Sequence, residues 1–568
     1  MQPSSDQPTG ADRSRQLRRY GPLLIIAVIA VVAILAAVLA GGGDDDEKTA
    51  TGGSSTTAVG GKTKGPEGAI SWQEAQDENL DVTFPDSCDK KTGKAKLPYF
   101  LVQPCYADVK DNGGETSKGV TADAVKVVVY VAPDSDPALD YITAAIKNED
   151  TVQDIKDTYQ GYADMFNDRY QTYGRKIELQ FLDGSGTSQD EVAARADAVK
   201  AADEMGAFAV WGGPVLTSAF ADELAARKVV CIGCTGGDPE FFEKRAPYLY
   251  SAGANADQVG IQVVEYIKKK LDGKKAEFAG DALKGKERKF GYLWIDSNDS
   301  SADQAATMED RLSDEGVELS ESISYTLDPA RLQEQATSVI AKFKAAGVTT
   351  VLFSGDPVAP ANFTKEATAQ DYFPEWVLGP QTLVDVTAFA RTYDQEQWAH
   401  AFGPSPLTAR FKSQDGAAYF LYKWFNGEAP PAKDTAAVQF PNPALFFAGI
   451  QAAGPDLTPE TFRDGLFSRE PTPNAITQPS LSFGDHGLWP YDDYNGTDDM
   501  TEVWWDPKAT GPDEIRKEGT GMYRYVDGGK RYFPGDWTSD VKLFDPKGSV
   551  TILDGPPDAE KVTDYPSP

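Results

Sequence analysis

The chain has 568 residues and a mass of 61.4 kDa, which exceeds one compact core and suits about two to four domains of roughly 100–200 residues. Its 40% hydrophobic and 11% aromatic content lets those domains bury cores, whereas a mean hydropathy of -0.42 excludes a protein of many membrane spans. With 55 basic against 87 acidic residues and a net charge of -32, the protein repels phosphate backbones, so nucleic acid is not an expected partner.

Residues 1–20 are polar, carry Arg13, Arg15, Arg18 and Arg19, and are predicted as a cytoplasmic tail. Residues 21–40 follow as a transmembrane anchor, because Leu23 to Ala40 is free of charge and at ~1.5 Å per residue reaches ~27 Å, close to a ~30 Å hydrocarbon core. Arginines before it and Asp44, Asp45, Asp46 and Glu47 after it put the N-terminus in the cytoplasm and the body outside the cell membrane. The alternative is a signal peptide cleaved after Ala40, which releases the body as a secreted protein. Residues 41–68, built of Gly, Ser, Thr and charge, are a flexible linker. Cysteine usage fits an oxidising exterior. Cys88 with Cys105 clamps an irregular extension over 69–118, and Cys231 with Cys234, at a strand end with no helix starting at the first cysteine, is a small structural disulfide rather than a redox or zinc motif.

From Val120 the pattern becomes strand and helix in alternation. Ala124 to Ala132 is an almost unbroken apolar run, as a parallel strand covered on both faces requires. A helix after Pro133–Pro137, capped by Asp136, runs to about Tyr173, and Lys176 to Leu182 is the next strand. Ser188 and Glu191 have capping-box spacing before a helix to about Met205. Strands at 208–211, 228–232, 290–295, 319–325, 349–354 and 376–379 then alternate with helices at 217–227, 255–271, 301–315, 328–347 and 359–370. Such alternation means doubly wound parallel sheets of the α/β class, divided into a first lobe over 119–253 and a second over 254–397. Residues 398–475 are expected to return and pack on the first lobe, and 476–568 form an aromatic-rich C-terminal extension.

In open α/β sheets ligands sit at the carboxyl ends of strands, where loops converge. That rule selects Ser135, Gly213, Thr217, Ser218, Thr235 and Gly236 in the first lobe, hydroxyls and bare glycine backbone suited to a carboxylate or a small polar solute. In the second lobe it selects Asp296, Asp356 and Gln381, with Trp294 or Tyr325 as an apolar wall and an acid able to take an ammonium group. No metal or cofactor site is expected. Only His400 and His486 occur, and the Tyr491–Asp499 run lacks calcium-loop spacing and is expected as a solvated loop. The tryptophans and tyrosines of the tail, Trp489, Trp504, Trp505, Tyr523, Tyr525 and Trp537, are expected to pack over the lobes, a sugar-stacking platform being the alternative.

The stretch Phe208–Tyr266 resembles type I periplasmic solute-binding proteins of the branched-chain amino acid receptor type. Gly212, Pro214, Thr217 and Ser218 stand where that pattern has its "GP…S" loop, and Thr235 with Asp238-Pro239-Glu240 where it has "AT-x-PE". The resemblance implies two lobes closing on a ligand, with no chemistry performed, hydroxyls near Thr217 and Thr235 holding a carboxylate, and an ABC-type permease as the receiving partner. The chain departs from the pattern after its second-lobe strand, Asp296-Ser-Asn-Asp-Ser-Ser having no Tyr-Gly, and in carrying Gln381 where the family often has an acid. The function expected is therefore an anchored extracellular solute-binding protein for a small polar molecule. The alternatives are a membrane-anchored sensor of the same fold and an extracellular hydrolase working through paired carboxylates.

Overall fold

The computed structural model describes residues 66–568 apart from 134–135, 137–142, 145, 215, 297–300, 329, 380–382 and 413–415. The predicted anchor over 21–40 lies outside the described residues. Among the described residues no helix is long and apolar enough to cross a membrane.

In the first lobe, β1 (Ala124–Val131), β2 (Lys176–Asp183), β3 (Ala209–Trp211), β4 (Val230–Ile232) and β5 (Leu249–Tyr250) form a parallel sheet in the order β2-β1-β3-β4-β5. Val127, Val128 and Val129 of β1 are fully buried, since helices cover both faces of such a sheet and leave no polar side to alternate with. The helices between the strands are α1 (Val152–Arg169), α2 (Glu191–Val199), α3 (Ala219–Ala226) and α4 (Pro239–Glu243). The capping box predicted at Ser188 does not form. Asp190 caps α2 by accepting from the amides of Val192 at 3.1 Å and Ala193 at 3.0 Å. Ser188 instead donates its amide, at 2.7 Å, and its hydroxyl to Asp136, which ties the β2 loop to the β1 loop.

The chain crosses at Ser251 and continues as α5 (Ala256–Tyr266), β6 (Phe290–Ile295), α6 (Ser301–Asp314), β7 (Leu319–Tyr325), α7 (Leu332–Ala346), β8 (Thr350–Ser354), α8 (Pro360–Ala369), β9 (Glu375–Leu378) and β10 (Ala401–Ser405). Strand β11 (Arg410–Phe411) lies on the way back. Helices α9 (Ala417–Asn426), α10 (Pro441–Ala453) and α11 (Pro459–Phe467) then bury Leu421, Phe446, Phe447 and Phe462 in the first lobe's core.

The aromatic-rich extension supplies strands. β12 (Met500–Pro512) pairs antiparallel with β10, β13 (Glu518–Val526) with β12, β14 (Arg531–Tyr532) with β12 and β15 (Ser549–Val550) with β13, so the second sheet runs β15-β13-β12-β10-β9-β8-β6-β7. A last strand, β16 (Ile552–Leu553), pairs with β11. Trp504, Trp505, Tyr523 and Tyr525 are buried on the two faces of this sheet, so they form no exposed stacking platform. The expectation of a solvated loop at 491–499 is also corrected: Asp493 to Asp499 are all buried, because this stretch is an inter-lobe crossing laid against the first one. The Ser251 amide donates to Tyr494 O at 3.1 Å, and Gln258 Nε2 donates to Asp493 at 2.8 Å.

Another crossing, at 405–411, is riveted to this pair by Arg531. Its fully buried guanidinium donates to Asp499 Oδ1 at 2.8 Å, Leu407 O at 2.7 Å and Pro406 O at 3.1 Å. Multiple acceptors around one planar fork are what makes so deep a burial of charge tolerable. Outside the lobes, the 66–118 segment is held by the Cys88–Cys105 disulfide and inserts Leu97 and Tyr99 into the first lobe's core. The second disulfide, Cys231–Cys234, closes the end of β4.

Candidate ligand-binding cleft

The carboxyl ends of both sheets face one cleft. Ile146 and Leu216 of the first lobe pack against the second lobe's core, so the lobes meet across it. A cavity of about 460 Å³ opens there, bounded by Asp238, Pro239 and Glu240 at the start of α4, by Ala256, Asp257 and Gly260 of α5, by Tyr292, Trp294 and Ile295 of β6, by Ser301, Gln304, Met308 and Arg311 of α6, and by Ser354, Gly355, Pro490 and Tyr491.

Local sequence explains how each wall is held. Residues 292 and 294 are two apart on a strand and therefore share a face, so Tyr292 and Trp294 both turn toward α5 and α6. Trp294 Nε1 donates to Ser322 Oγ at 3.1 Å, and Ser322 in turn donates to Glu309 at 2.5 Å, which fixes the indole plane from behind. On α6, Ser301, Gln304, Met308 and Arg311 recur at helical spacing and line one stripe. The Asn255–Gln258 capping box fixes the start of α5, so Asp257 in its first turn meets Arg311, whose guanidinium donates to the Asp257 carboxylate and, at 3.3 Å, to its carbonyl. Tyr491, from the crossing that leads into β12, donates to the other Asp257 oxygen at 3.1 Å. Burial pushes the Tyr491 hydroxyl above its ordinary range and the Asp257 charge adds to the shift; burial does the same to Tyr292, against the opposing hydrogen bond from Ser354. Both phenols are thus neutral donors at any physiological pH.

None of the predicted site residues that the structure describes lines this cavity. Ser135 and Gln381 lie outside the described residues. Gly213 is a close-approach position, where a Cβ would stand 2.8 Å from Cys234 O. Thr217 Oγ1 accepts from the Ala219 amide at 3.1 Å and Ser218 Oγ donates to Asp222 at 3.2 Å, so both hydroxyls are engaged at the start of α3. Thr235 is buried, Gly236 is exposed beside α4, and Asp296 is exposed at the end of β6 with its amide donating to Tyr325 O at 2.7 Å. The expectation that Asp356 offers its charge to a ligand is corrected. Asp356 is wholly buried and accepts from Tyr325 OH at 2.5 Å and from the amides of Val358 and Ala359 at 2.8 Å each, so it shapes the loop after β8. Tyr325, expected as a wall, is itself buried, and Trp294 takes that place.

The residues that sequence reasoning missed are Tyr292, Asp257 and Arg311. Tyr292 carried a legible signal, being two positions from Trp294 on a strand already identified. Asp257 and Arg311 did not, because 54 residues separate them and only the packing of α5 on α6 brings them together. Chemically, an aromatic face, a self-neutralised Arg–Asp pair and a rim of hydroxyl and amide groups suit a small solute with a flat or apolar body and polar substituents.

The sequence model of the family described as "Periplasmic binding protein" matches residues 147–488, which is more than half of the chain. No curated protein matches. Among solved structures, the solute-binding protein of an ABC transporter from R. palustris, in complex with 4-hydroxybenzoate, is 15% identical over 70% of this chain and 97% of its own, with a TM-score of 0.50. The substrate-binding protein of a branched-chain amino acid transporter from Streptococcus pneumoniae, in complex with isoleucine, is 14% identical over 71% of this chain and all of its own, with a TM-score of 0.47. A fatty acid ABC transporter substrate-binding protein from Thermomonospora curvata is 15% identical over 76% of this chain and 98% of its own, also at 0.47. The two-lobed α/β fold and the extent of the family match lead to one conclusion: the chain belongs to the periplasmic binding protein family.

Proposed function

We propose that this protein is an exported, membrane-tethered solute-binding protein that captures a small polar molecule between its lobes and delivers it to an ABC-type transporter. The observation that carries the reading is the cavity of about 460 Å³ walled by residues of both lobes, with Trp294 and Tyr292 on one side and Asp238 to Glu240 on the other. Contacts made by both walls exist only when the lobes are together, so a ligand stabilises the closed state by its differential affinity for it. The two disulfides support an oxidising compartment, and the uncharged Leu23–Ala40 run supports a tether with the body outside the cell membrane.

The test is a thermal-shift screen of the protein against amino acids, amides, polyamines, sugars and carboxylates. A ligand that binds the folded state raises the melting temperature with concentration. One chemical class is expected to give a saturable shift, and Trp294→Ala, which removes the flat wall, is expected to weaken that binding about tenfold or more. Silence across the panel, or a shift untouched by Trp294→Ala, overturns the reading.

A further inference from the structure

A second cavity, of about 90 Å³, lies away from the cleft, inside the first lobe where the 66–118 segment meets α10 and α11. A water molecule's share of the liquid is about 30 Å³, so the space holds about three waters or one organic molecule of that bulk. Leu101, Leu445, Leu466 and Leu481 give it apolar walls. Of its polar wall residues, Thr472 Oγ1 accepts from the Leu481 amide at 2.7 Å, Ser482 Oγ donates to Asp498 at 2.8 Å, and Glu470 stands in solvent at the mouth.

Two polar groups on its wall have no partner in the fold: the Arg469 guanidinium, whose nitrogens reach solvent, and Gln103 Oε1, which is sealed off. Arg469 is half-buried, yet among the described residues its guanidinium makes no ion pair and no hydrogen bond. Desolvation lowers its pKa, against the opposing pull of Tyr106 and Tyr170, but an arginine stays charged throughout the physiological range. Gln103 is 6% exposed. Its Nε2 donates to Leu101 O at 2.8 Å, which fixes the amide's orientation, and its Oε1 accepts nothing. A half-buried cation without a counter-ion and a buried acceptor without a donor both cost free energy. One ligand with an anionic group and a hydroxyl relieves both at once.

We propose that this pocket binds a small hydroxy acid, its carboxylate on Arg469, its hydroxyl donating to Gln103 Oε1 and its carbon skeleton against Leu101 and Leu466. Tyr99, Leu101 and Gln103 lie outside the stretch 147–488 that matches the family, so the pocket is partly this chain's own addition. It is independent of the cleft ligand.

The test is titration calorimetry of the full chain with lactate, propionate and lactamide. Saturable binding of lactate is expected, about tenfold weaker for propionate, which lacks the hydroxyl, and absent for lactamide, which lacks the charge. Arg469→Gln should abolish lactate binding. Gln103→Leu, which removes no charge, should erase the preference for lactate over propionate, and it keeps the proposal open to refutation if the arginine variant fails to fold. Trp294→Ala, in the cleft, should leave lactate binding intact. No saturable heat with lactate means that the pocket holds water alone and overturns the proposal. So does lactate binding that survives Arg469→Gln or disappears in Trp294→Ala.

Discussion

Asp385 sits in the second lobe against the start of the 405–411 crossing, 3% exposed, and accepts a hydrogen bond of 2.6 Å from Ser405, whose oxygen also takes the Leu407 amide at 3.1 Å. Burial, which is the largest influence, pushes its carboxyl up to about 7, with the Ser405 bond opposing and the Glu514 charge adding. In the unfolded chain such a group titrates near about 3.9. Between those values the folded protein holds a proton that the unfolded chain has released, so this group's contribution is complete below about pH 4 and is lost as pH rises toward 7, with a slope of up to about 1.4 kcal/mol per pH unit. Urea denaturation at pH 5 and pH 7.5 checks this. Wild type should lose stability toward the higher pH, and Asp385→Asn, which mimics the protonated form, should lose distinctly less. Asp498, pushed up to about 8 by burial, acts in the same direction, so the variant's slope is reduced and not abolished. Equal slopes for the two proteins would refute the assignment.

At the scale of elements, the parallel strands were legible because each is a short apolar run between turn signals, and β6 and β7 have the limits that their residues suggest. The β12–β13 hairpin was not. The first six residues of β12, Met500 to Trp505, are all buried, so no alternation betrays a strand and the stretch reads as an undifferentiated aromatic tail. The hairpin does more than widen the sheet. Its tip is shaped by Asp513, whose Oδ1 accepts from the amides of Ile515 at 3.1 Å and Lys517 at 2.8 Å, and it reaches the first lobe. Lys517 Nζ donates to Ile146 O at 2.8 Å and Lys147 O at 2.6 Å, while Arg516 lies 4.4 Å over the Tyr419 ring and donates to Lys433 O. Because these contacts bridge the two lobes, they are expected to favour the closed arrangement in the absence of ligand. Arg516→Ala with Lys517→Ala should therefore enlarge the ligand-free radius of gyration in solution scattering and weaken cleft binding about three- to tenfold, because the ligand must then supply more of the closing free energy. A scattering profile identical to wild type would show that the tip holds nothing shut.

For the molecule as a whole, the position of the cleft at the strand ends was legible from alternation alone, whereas its lining was not, since Tyr491 reaches Asp257 from 234 residues away along a crossing that looked like a surface loop. The same holds for the C-terminal segment, whose Pro, Gly and Asp content suggests fraying. It is instead a strap that touches the second sheet, the crossing, α9 and the 66–118 segment. β15 adds to the second sheet and β16 pairs with β11 in the crossing; Glu560, buried, then accepts from the amides of Ile476 at 2.8 Å and Thr477 at 3.1 Å, beside the crossing residue Ala409, whose amide donates to Ile476 O. Further on, Tyr565 O accepts from Trp424 Nε1 at 2.8 Å and its hydroxyl donates to Asp89 at 2.8 Å, beside the Cys88–Cys105 disulfide. Losing Glu560 leaves the two amides at 476–477 without acceptors, and hydrogen bonds to a charged group contribute about 1.5–3 kcal/mol each. Ending the chain after Asp554 keeps β15 and β16 and removes the strap. Hydrogen exchange should then accelerate at 476–477 and across 88–95 while the second sheet keeps its protection, and Glu560→Gln should reproduce the first effect without the second. Unchanged exchange at 476–477 in both variants would mean that the crossing is held by Arg531 and its partners alone.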